Sequence, residues 1–208
     1  MNLVITMSRR FGTGASIIAK ELSERLHIPV YDKDDVEHGM RENAFESEAD
    51  AIRELAKQPC IIIGRCASEF LKDKSNVINI YVCADKEDRI KRIMKLFSLT
   101  REAAEVMLEE TDKQRAEYYY KNTGKTWGDV NNYHMILNTS DLGIENCADI
   151  LMRYFEMKDY DIALSYYYLL IENFSEIIDK SELANIYNKI GRTYTCLLYT
   201  SDAADEAR

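Results

Sequence analysis

The most constraining feature of this sequence is a glycine-containing turn between a short apolar run and a helical pattern. Leu3 to Met7 is apolar and of strand length, and the turn Phe11-Gly12-Thr13-Gly14 follows shortly after it. From Ser16 to Leu26, apolar residues recur at the spacing of one helix face. Val30-Tyr31 then restarts an extended segment. Strand, turn, helix and strand within about 30 residues make one βαβ unit, which requires a parallel sheet.

The same alternation continues along the chain. Cys60 to Ile63 and Val77 to Val82 are uninterrupted apolar runs, which is typical of strands buried on both faces. Tyr133 to Asn138 is a last strand. The helical patterns are Glu48 to Lys57, Ala67 to Leu71, Asp85 to Leu96, Thr100 to Tyr120 and Ile144 to Met157. The pattern predicts an α/β fold in three layers, a parallel sheet with helices on both faces.

Ligands of such sheets bind beyond the carboxyl ends of the strands. The segment from Ser8 to Ser16 follows the first strand, and Asp32, Arg65 and Asp85 follow the next three. We therefore expect these residues to converge on one cleft.

The glycine turn partly matches the phosphate-binding loop GxxxxGK[ST], whose backbone N–H groups cradle phosphates. Gly12, Thr13 and Gly14 supply the turn, and Ser16 occupies the position whose hydroxyl holds Mg²⁺. Ala15, however, stands where the motif has lysine, and the first glycine is absent. Taken alone, the segment predicts a phosphate loop or an ordinary tight turn about equally well.

Other motifs extend the match. Besides the run from Ile5 to Ser16, they are Tyr31-Asp32-Lys33, Gly64-Arg65, Asp112-Lys113-Gln114-Arg115, Thr123-Gly124-Lys125-Thr126-Trp127-Gly128-Asp129 and Asn138-Thr139-Ser140. Together they resemble the cytidylate kinase-like family, relatives of the P-loop nucleoside monophosphate kinases. The resemblance implies a P-loop-type sheet, Mg²⁺ with ATP as cofactor, and phosphoryl transfer to a nucleoside monophosphate such as CMP or dCMP.

The resemblance also implies roles for individual residues. Asp32 and Arg65 would place the acceptor, and Asn138 would lie near the base of the donor. Arginines of two helices would form a lid over the phosphates; they are Arg89, Arg92 and Arg115. Two alternatives stay open from the residues themselves, a helix N-cap for Asp32 and a surface ion pair for Arg65. Cys66 stands where full kinases of the family carry Asp, so cytosine selection stays open.

The lysine position matters because a transferring phosphoryl group needs fixed positive charge around its oxygens. Arg9 or Arg10 could supply that charge from the loop itself, and Lys125 could supply it from a later loop. The alternative function is a non-catalytic nucleotide-binding sensor that acts through a protein partner.

The composition argues against some classes of binding partner. The net charge of −9 argues against broad nucleic-acid binding, and no apolar run is long enough to span a membrane. The N-terminus lacks a signal-peptide pattern, so a cytoplasmic location is expected. Five widely spaced cysteines without a CxxC pair predict reduced thiols rather than disulfides or a zinc site.

After residue 157 the character of the sequence changes. Residues 158–195 predict a C-terminal α-helical hairpin that resembles part of a tetratricopeptide repeat and could bind a protein partner. Residues 196–208 resemble a translated sequencing adapter or form a frayed acidic tail. We thus expect a nucleotide-binding domain over 1–157, followed by these two segments.

Overall fold

The sheet has five parallel strands. The computed structural model describes residues 3–42 and 47–155, together with position 187. The strands are β1 (Val4–Arg9), β2 (Val30–Tyr31), β3 (Cys60–Ile63), β4 (Val77–Cys83) and β5 (Met135–Asn138). Their order is β2-β3-β1-β4-β5, and every pairing is parallel. The first strand therefore lies at the centre, where the loop that follows it can reach residues from both halves of the sheet.

Helices connect successive strands. They are α1 (Ala15–Leu26), α2 (Lys33–Glu42), α3 (Glu48–Leu55), α4 (Ala67–Phe70), α5 (Lys86–Phe97), α6 (Arg101–Thr123) and α7 (Thr139–Leu142). A 3₁₀ turn covers Val130–Asn132, and residues 144–155 are helical. Side chains cap two of the helices, since Ser47 accepts from the N–H of Asp50 and Thr100 accepts from the N–H of Ala103.

The core covers both faces of the central strands. Val4 lies beside Cys60 on one side and Val77 on the other, and all three pack in one buried cluster with side chains of α2, α3 and α4. Alternate residues point to the opposite face, where α1 contributes the fully buried Ile18 and Leu22. The three-layer α/β fold with helices on both faces is confirmed.

Two elements differ from expectation. The sequence places no helix firmly over α2, because the segment is mostly charged and carries few apolar residues, of which Val36 is buried. The short α7 follows β5 directly, where no helix was expected. The hairpin predicted for 158–195 and the tail at 196–208 lie outside the described residues, apart from position 187. No helix in the described part of the chain is long and apolar enough to cross a membrane.

Candidate functional site

The turn between β1 and α1 has a backbone that needs glycine at two positions. Gly12 and Gly14 have φ angles of 77° and 81°, which other residues rarely adopt. A Cβ atom on Gly12 would lie 3.0 Å from the carbonyl oxygen of Arg89, and one on Gly14 would lie 2.5 Å from Cδ1 of Ile144. Because neighbouring elements press on both glycines, the shape of the turn is fixed by packing.

The backbone N–H groups of this turn are unused. Those of residues 12–16 donate to no acceptor among the residues that the structure describes. They include the N–H groups of Ala15 and Ser16 in the first turn of α1, where the helix dipole favours negative charge. Consecutive free donors at a helix N-terminus form a ready site for phosphate oxygens.

A buried ion pair braces the turn from the side of α5 and α6. Asp112 accepts from the N–H of Phe11 at 2.8 Å, and its other oxygen accepts from Nη1 of Arg89 at 2.6 Å. Arg89 also donates to the carbonyl of Phe11 at 3.3 Å and is only 3% exposed. We call Arg89, Asp112 and Phe11 the loop brace. Arg89, expected in a lid over phosphates, is instead buried and neutralised, so it positions the loop.

Arg92 lies over the turn itself. Its Nη1 donates to the carbonyl of Gly12 at 2.6 Å, and its guanidinium carbon would be 4.0 Å from a Cβ atom on Gly14. No carboxylate of the described residues pairs with it. Arg92 therefore remains placed to meet a ligand that occupies the turn.

A cavity of about 300 Å³ opens beside the turn, at the carboxyl ends of β1 and β3. Its charged lining residues are all cationic, and no Asp or Glu of the described chain lines it; they are Arg9, Lys33, Arg65 and Arg115. We call it the acceptor cavity. In a chain of net charge −9, such a cavity concentrates positive potential and favours an anionic ligand.

Arg9 is the most unusual of these cations. Within the described part of the chain, no carboxylate lies at ion-pairing distance and no acceptor receives its guanidinium. The pKa of Arg9 is lowered to about 10, first by burial and then by repulsion from Arg115, while Asp32 opposes the change. A partly buried cation without an ion-pair partner is costly unless an anion binds beside it.

Arg115 lies next to it on α6. Its Nη1 donates to the backbone carbonyl of Arg9 at 3.0 Å, and its guanidinium carbon is 5.4 Å from the ring centre of Phe11. Burial lowers the pKa of Arg115 too. Asp112 offsets the charge of Arg115 only at longer range, so the cavity holds two arginines without a carboxylate at ion-pairing distance among the described residues.

A turn of three left-handed residues follows β3. Gly64, Arg65 and Cys66 have φ angles of 79°, 53° and 54°. The left-handed conformation is unfavourable for the two non-glycine residues. Such strain is tolerated where a functional site requires the geometry. The turn puts Gly64 directly against the guanidinium of Arg9, where a Cβ atom would overlap it. The strained turn thus lies where Arg9 and Arg65 line the same cavity.

Carboxylates outside the cavity hold Arg65. It forms ion pairs with Glu48 on α3 and, at 3.3 Å, with Glu37 on α2. Its guanidinium carbon also lies 5.0 Å from the ring centre of Tyr118, whose hydroxyl donates to Glu48. Arg65 therefore forms ion pairs and also lines the cavity, although its side chain is mostly buried rather than on the surface.

A second cavity, of about 350 Å³, lies on the other side of Arg9. Arg9, Ser16, Asp32 and Asp35 line it. Asp32 caps α2, because its Oδ1 accepts from the N–H of Asp34 at 2.9 Å. The hydroxyl of Ser16 and these carboxylates are the hard oxygen ligands that Mg²⁺ takes, usually with phosphate oxygens and water completing the shell. This donor set fits the metal, although no group of three or more such side chains occurs among the described residues.

Three predicted site residues lie elsewhere. Lys125 donates to Oε2 of Glu69 at 2.6 Å in a separate polar groove. The side chain of Asn138 caps α7. Arg10 is exposed and lines neither cavity, and its interaction with the nearby side chain of Tyr81 raises its pKa.

Asp85 also lies outside the expected cleft. Its backbone N–H donates to Oγ of Ser140. Trp127 does line the acceptor cavity and donates to Oγ of Ser8 at 3.0 Å. Cys66 lines it as a neutral thiol, since burial raises its pKa to about 11.

Sequence reasoning missed three contributors. Lys33 ends the motif Tyr31-Asp32-Lys33 and Asp112 begins the block that ends in Arg115, but the sequence indicates no separate role for either. The block itself was the available signal for Asp112. Nothing in the sequence marks Glu48, because its partner Arg65 lies on a different element.

The comparisons with known proteins agree with this geometry. The model of the cytidylate kinase-like family matches residues 4–38 and 35–141. An uncharacterized protein from Eubacterium ventriosum is 27% identical with a TM-score of 0.67, covering 74% of this chain and 98% of that one. YorR from Bacillus subtilis, solved in complex with phosphorylated GDP, is 16% identical with a TM-score of 0.51, covering 75% and 97%, which shows the fold alone.

No curated protein matches the chain. The family match ends at residue 141, so it gives no support to the tetratricopeptide-like segment. It does cover the phosphate-loop turn, the loop brace and the acceptor cavity. The chain belongs to the cytidylate kinase-like family.

Proposed function

We propose that this protein transfers the γ-phosphoryl group of ATP to a nucleoside monophosphate, with CMP and dCMP as the first candidates. The observation that carries the proposal is Arg9, an unneutralised cation that lines both cavities. One cavity adjoins the first turn of α1, and the charged residues that line the other are all cations. A phosphoryl group that passes between two anionic ligands needs a fixed positive charge at that place.

The donor phosphates would occupy the turn Gly12-Thr13-Gly14. The free N–H groups of residues 12–16 would bind their oxygens, and Arg92 would add a charge from α5. Ser16 and Asp32 would hold Mg²⁺, which when bound would neutralise charge on the donor phosphates.

The acceptor would occupy the cavity beside the turn. Its phosphate would meet Arg65 and Lys33, and its base would lie against the aromatic side chains of Tyr118 and Trp127, which line the same cavity. Cys66 offers a neutral thiol there, so selection of the base would rest on other contacts.

Transfer itself would depend on Arg9 and Arg115. In-line phosphoryl transfer requires little covalent chemistry from the protein, so positioned charge and the exclusion of water supply most of the rate. The two arginines would thus take the place of the lysine that is absent at Ala15. Their mutual repulsion is relieved only when an anion lies between or beside them.

A coupled assay with ATP, Mg²⁺ and a panel of nucleoside monophosphates tests this function. We expect CDP or another nucleoside diphosphate to accumulate with one preferred acceptor. ATP binding without transfer to any acceptor at millimolar concentration would contradict it and would favour the nucleotide-binding sensor instead.

A further inference from the structure

Arg65 is the one cation of the acceptor cavity whose charge is already shared with two carboxylates. The guanidinium pairs with Glu48 and Glu37, and its own side chain is 15% exposed. Both carboxylates lie outside the cavity lining. An anionic acceptor that binds Arg65 must therefore compete with groups that the protein itself supplies.

The pairing leaves part of the guanidinium unused. Nε of Arg65 is buried and donates to no acceptor among the described residues. Guanidinium recognises phosphate through two parallel N–H bonds, and a buried donor without a partner costs free energy. Arg65 thus combines an occupied Nη2 with a desolvated donor that a phosphate oxygen could satisfy.

Glu48 is held at Arg65 by a third residue. The hydroxyl of Tyr118 donates to Oε2 of Glu48, and the ring of Tyr118 lies 5.0 Å from the guanidinium carbon. Because Tyr118 is on α6 and Glu48 is on α3, two elements fix the competing carboxylate. A carboxylate so fixed keeps its position when the cavity is empty.

We propose that Glu48, supported by Glu37, determines acceptor affinity and class by competing for Arg65. The inference rests on the proposed function, because it concerns the acceptor cavity. A monoanionic carboxylate gains nothing by replacing another carboxylate of the same charge. A phosphomonoester brings close to two negative charges and three acceptor oxygens, so it displaces Glu48 with a net gain. The pair therefore favours phosphomonoesters and keeps their binding weak enough for product release.

Inorganic phosphate is a direct probe, measured by isothermal titration calorimetry on the full chain. We expect Glu48→Gln to bind phosphate about three- to tenfold more tightly than the unchanged protein, because one competing charge is gone. Glu117→Gln, which removes an exposed carboxylate of α6, should change nothing. Adding Arg65→Gln to Glu48→Gln should abolish the gain, which assigns it to Arg65 rather than to the phosphate loop.

A second pair of variants guards against a purely structural effect. Glu48→Asp keeps the charge and should bind phosphate like the unchanged protein. Tyr118→Phe keeps the ring but releases Glu48, so it should shift affinity in the same direction as Glu48→Gln, by less. In the transfer assay, Glu48→Gln should lower KM for CMP and leave KM for ATP unchanged.

The outcomes separate the two proposals. If no variant transfers phosphate to any acceptor, the proposed function fails, yet the calorimetric affinities still decide the role of Glu48. If Glu48→Gln binds inorganic phosphate no more tightly than the unchanged protein, the competition proposal is overturned, whatever the transfer assay shows.

Discussion

The loop brace and the acceptor cavity lie side by side and use the same residue type in opposite ways. In the brace, Arg89 is buried, pairs with Asp112 and donates to the backbone of Phe11. In the cavity, no carboxylate of the described residues lies at ion-pairing distance from Arg9 or Arg115, and Asp32 and Asp112 act on them only at longer range. The charge of the brace arginine is therefore paired without a ligand, whereas the charges of the two cavity arginines are not.

This difference distinguishes an arginine that holds the turn in shape from arginines that can bind an anionic substrate. A neutralised, buried arginine stabilises the shape of the turn and has no charge left for a substrate. An unneutralised one destabilises the empty protein and gains when an anion binds. Substitutions in the brace should therefore mainly lower the free energy of unfolding, and substitutions in the cavity should mainly lower turnover.

On the cavity side, Arg115→Ala should act mainly on turnover. Loss of a positioned charge at the transferring group should lower kcat about a hundredfold. The dissociation constant of ATP should change little, because the backbone N–H groups of the turn stay in place. Steady-state kinetics with separate ATP titrations check this. Lys113→Ala, an exposed change on the same helix, is the control, and equal rates for the two variants would remove Arg115 from the mechanism.

On the brace side, Asp112→Asn should act mainly on stability. It leaves Arg89 buried without its counter-charge and should lower the free energy of unfolding by about 2 kcal/mol, less than for a fully buried pair because Asp112 is partly exposed. Urea unfolding measures the loss. Glu110→Gln on the same helix should be neutral, and a brace variant as stable as this control would refute the assignment.

Two glycines offer a matched test of the contact between Gly64 and Arg9. Gly64 and Gly124 both have positive φ, so alanine should cost about 1 kcal/mol of stability at either position. Only at Gly64 would the new Cβ overlap Arg9, because nothing lies within 4 Å of one on Gly124.

We therefore expect transfer to slow about tenfold in Gly64→Ala alone, a loss of roughly 1.4 kcal/mol in transition-state stabilisation. Unfolding curves and kcat values of both variants decide this. A similar loss of rate in Gly124→Ala would show that the effect does not come from Arg9.

The smallest effect belongs to Lys125, which lies in neither region. Hydrogen bonds from Lys125 and then Lys72 lower the pKa of Glu69 below its ordinary value of 4.5. A carboxylate with a lowered folded pKa adds stability above its unfolded pKa, and that stability is lost as the pH falls through the folded pKa.

Lys125→Met should therefore cost less than about 0.5 kcal/mol at neutral pH, because the lysine is half exposed. It should also flatten the loss of stability on acidification below the ordinary pKa of Glu69. Thermal melts across that range measure both effects. A large drop in ATP affinity would instead return Lys125 to the phosphate site.

The fold was largely predictable because its signals are local. The strand Cys60–Ile63 was predicted with its observed bounds, since four buried apolar residues between Pro59 and Gly64 allow little else. The turn at Gly12 and Gly14 was equally clear. In contrast, the sequence of α2 is mostly charged with few apolar residues, so periodicity could not separate it from a loop.

The site was predictable only in part, because charge partners belong to different elements. Arg89 and Arg115 look alike in the sequence, and only the fold shows that Asp112 neutralises the first. Likewise, Lys125 was a candidate to supply positive charge to the phosphates from a later loop, yet it pairs with Glu69 of α4. Such outcomes depend on distances across the chain, which no local pattern carries.

The most direct test of the central claim is the single-turnover rate of phosphoryl transfer in Arg9→Gln, measured by rapid quench with saturating ATP, Mg²⁺ and the preferred acceptor. If Arg9 takes the place of the lysine absent at Ala15, the rate should fall about 10²- to 10³-fold while ATP affinity is retained. Arg53→Gln, an exposed arginine on α3, should keep the full rate. Equal rates for the two variants would contradict the account.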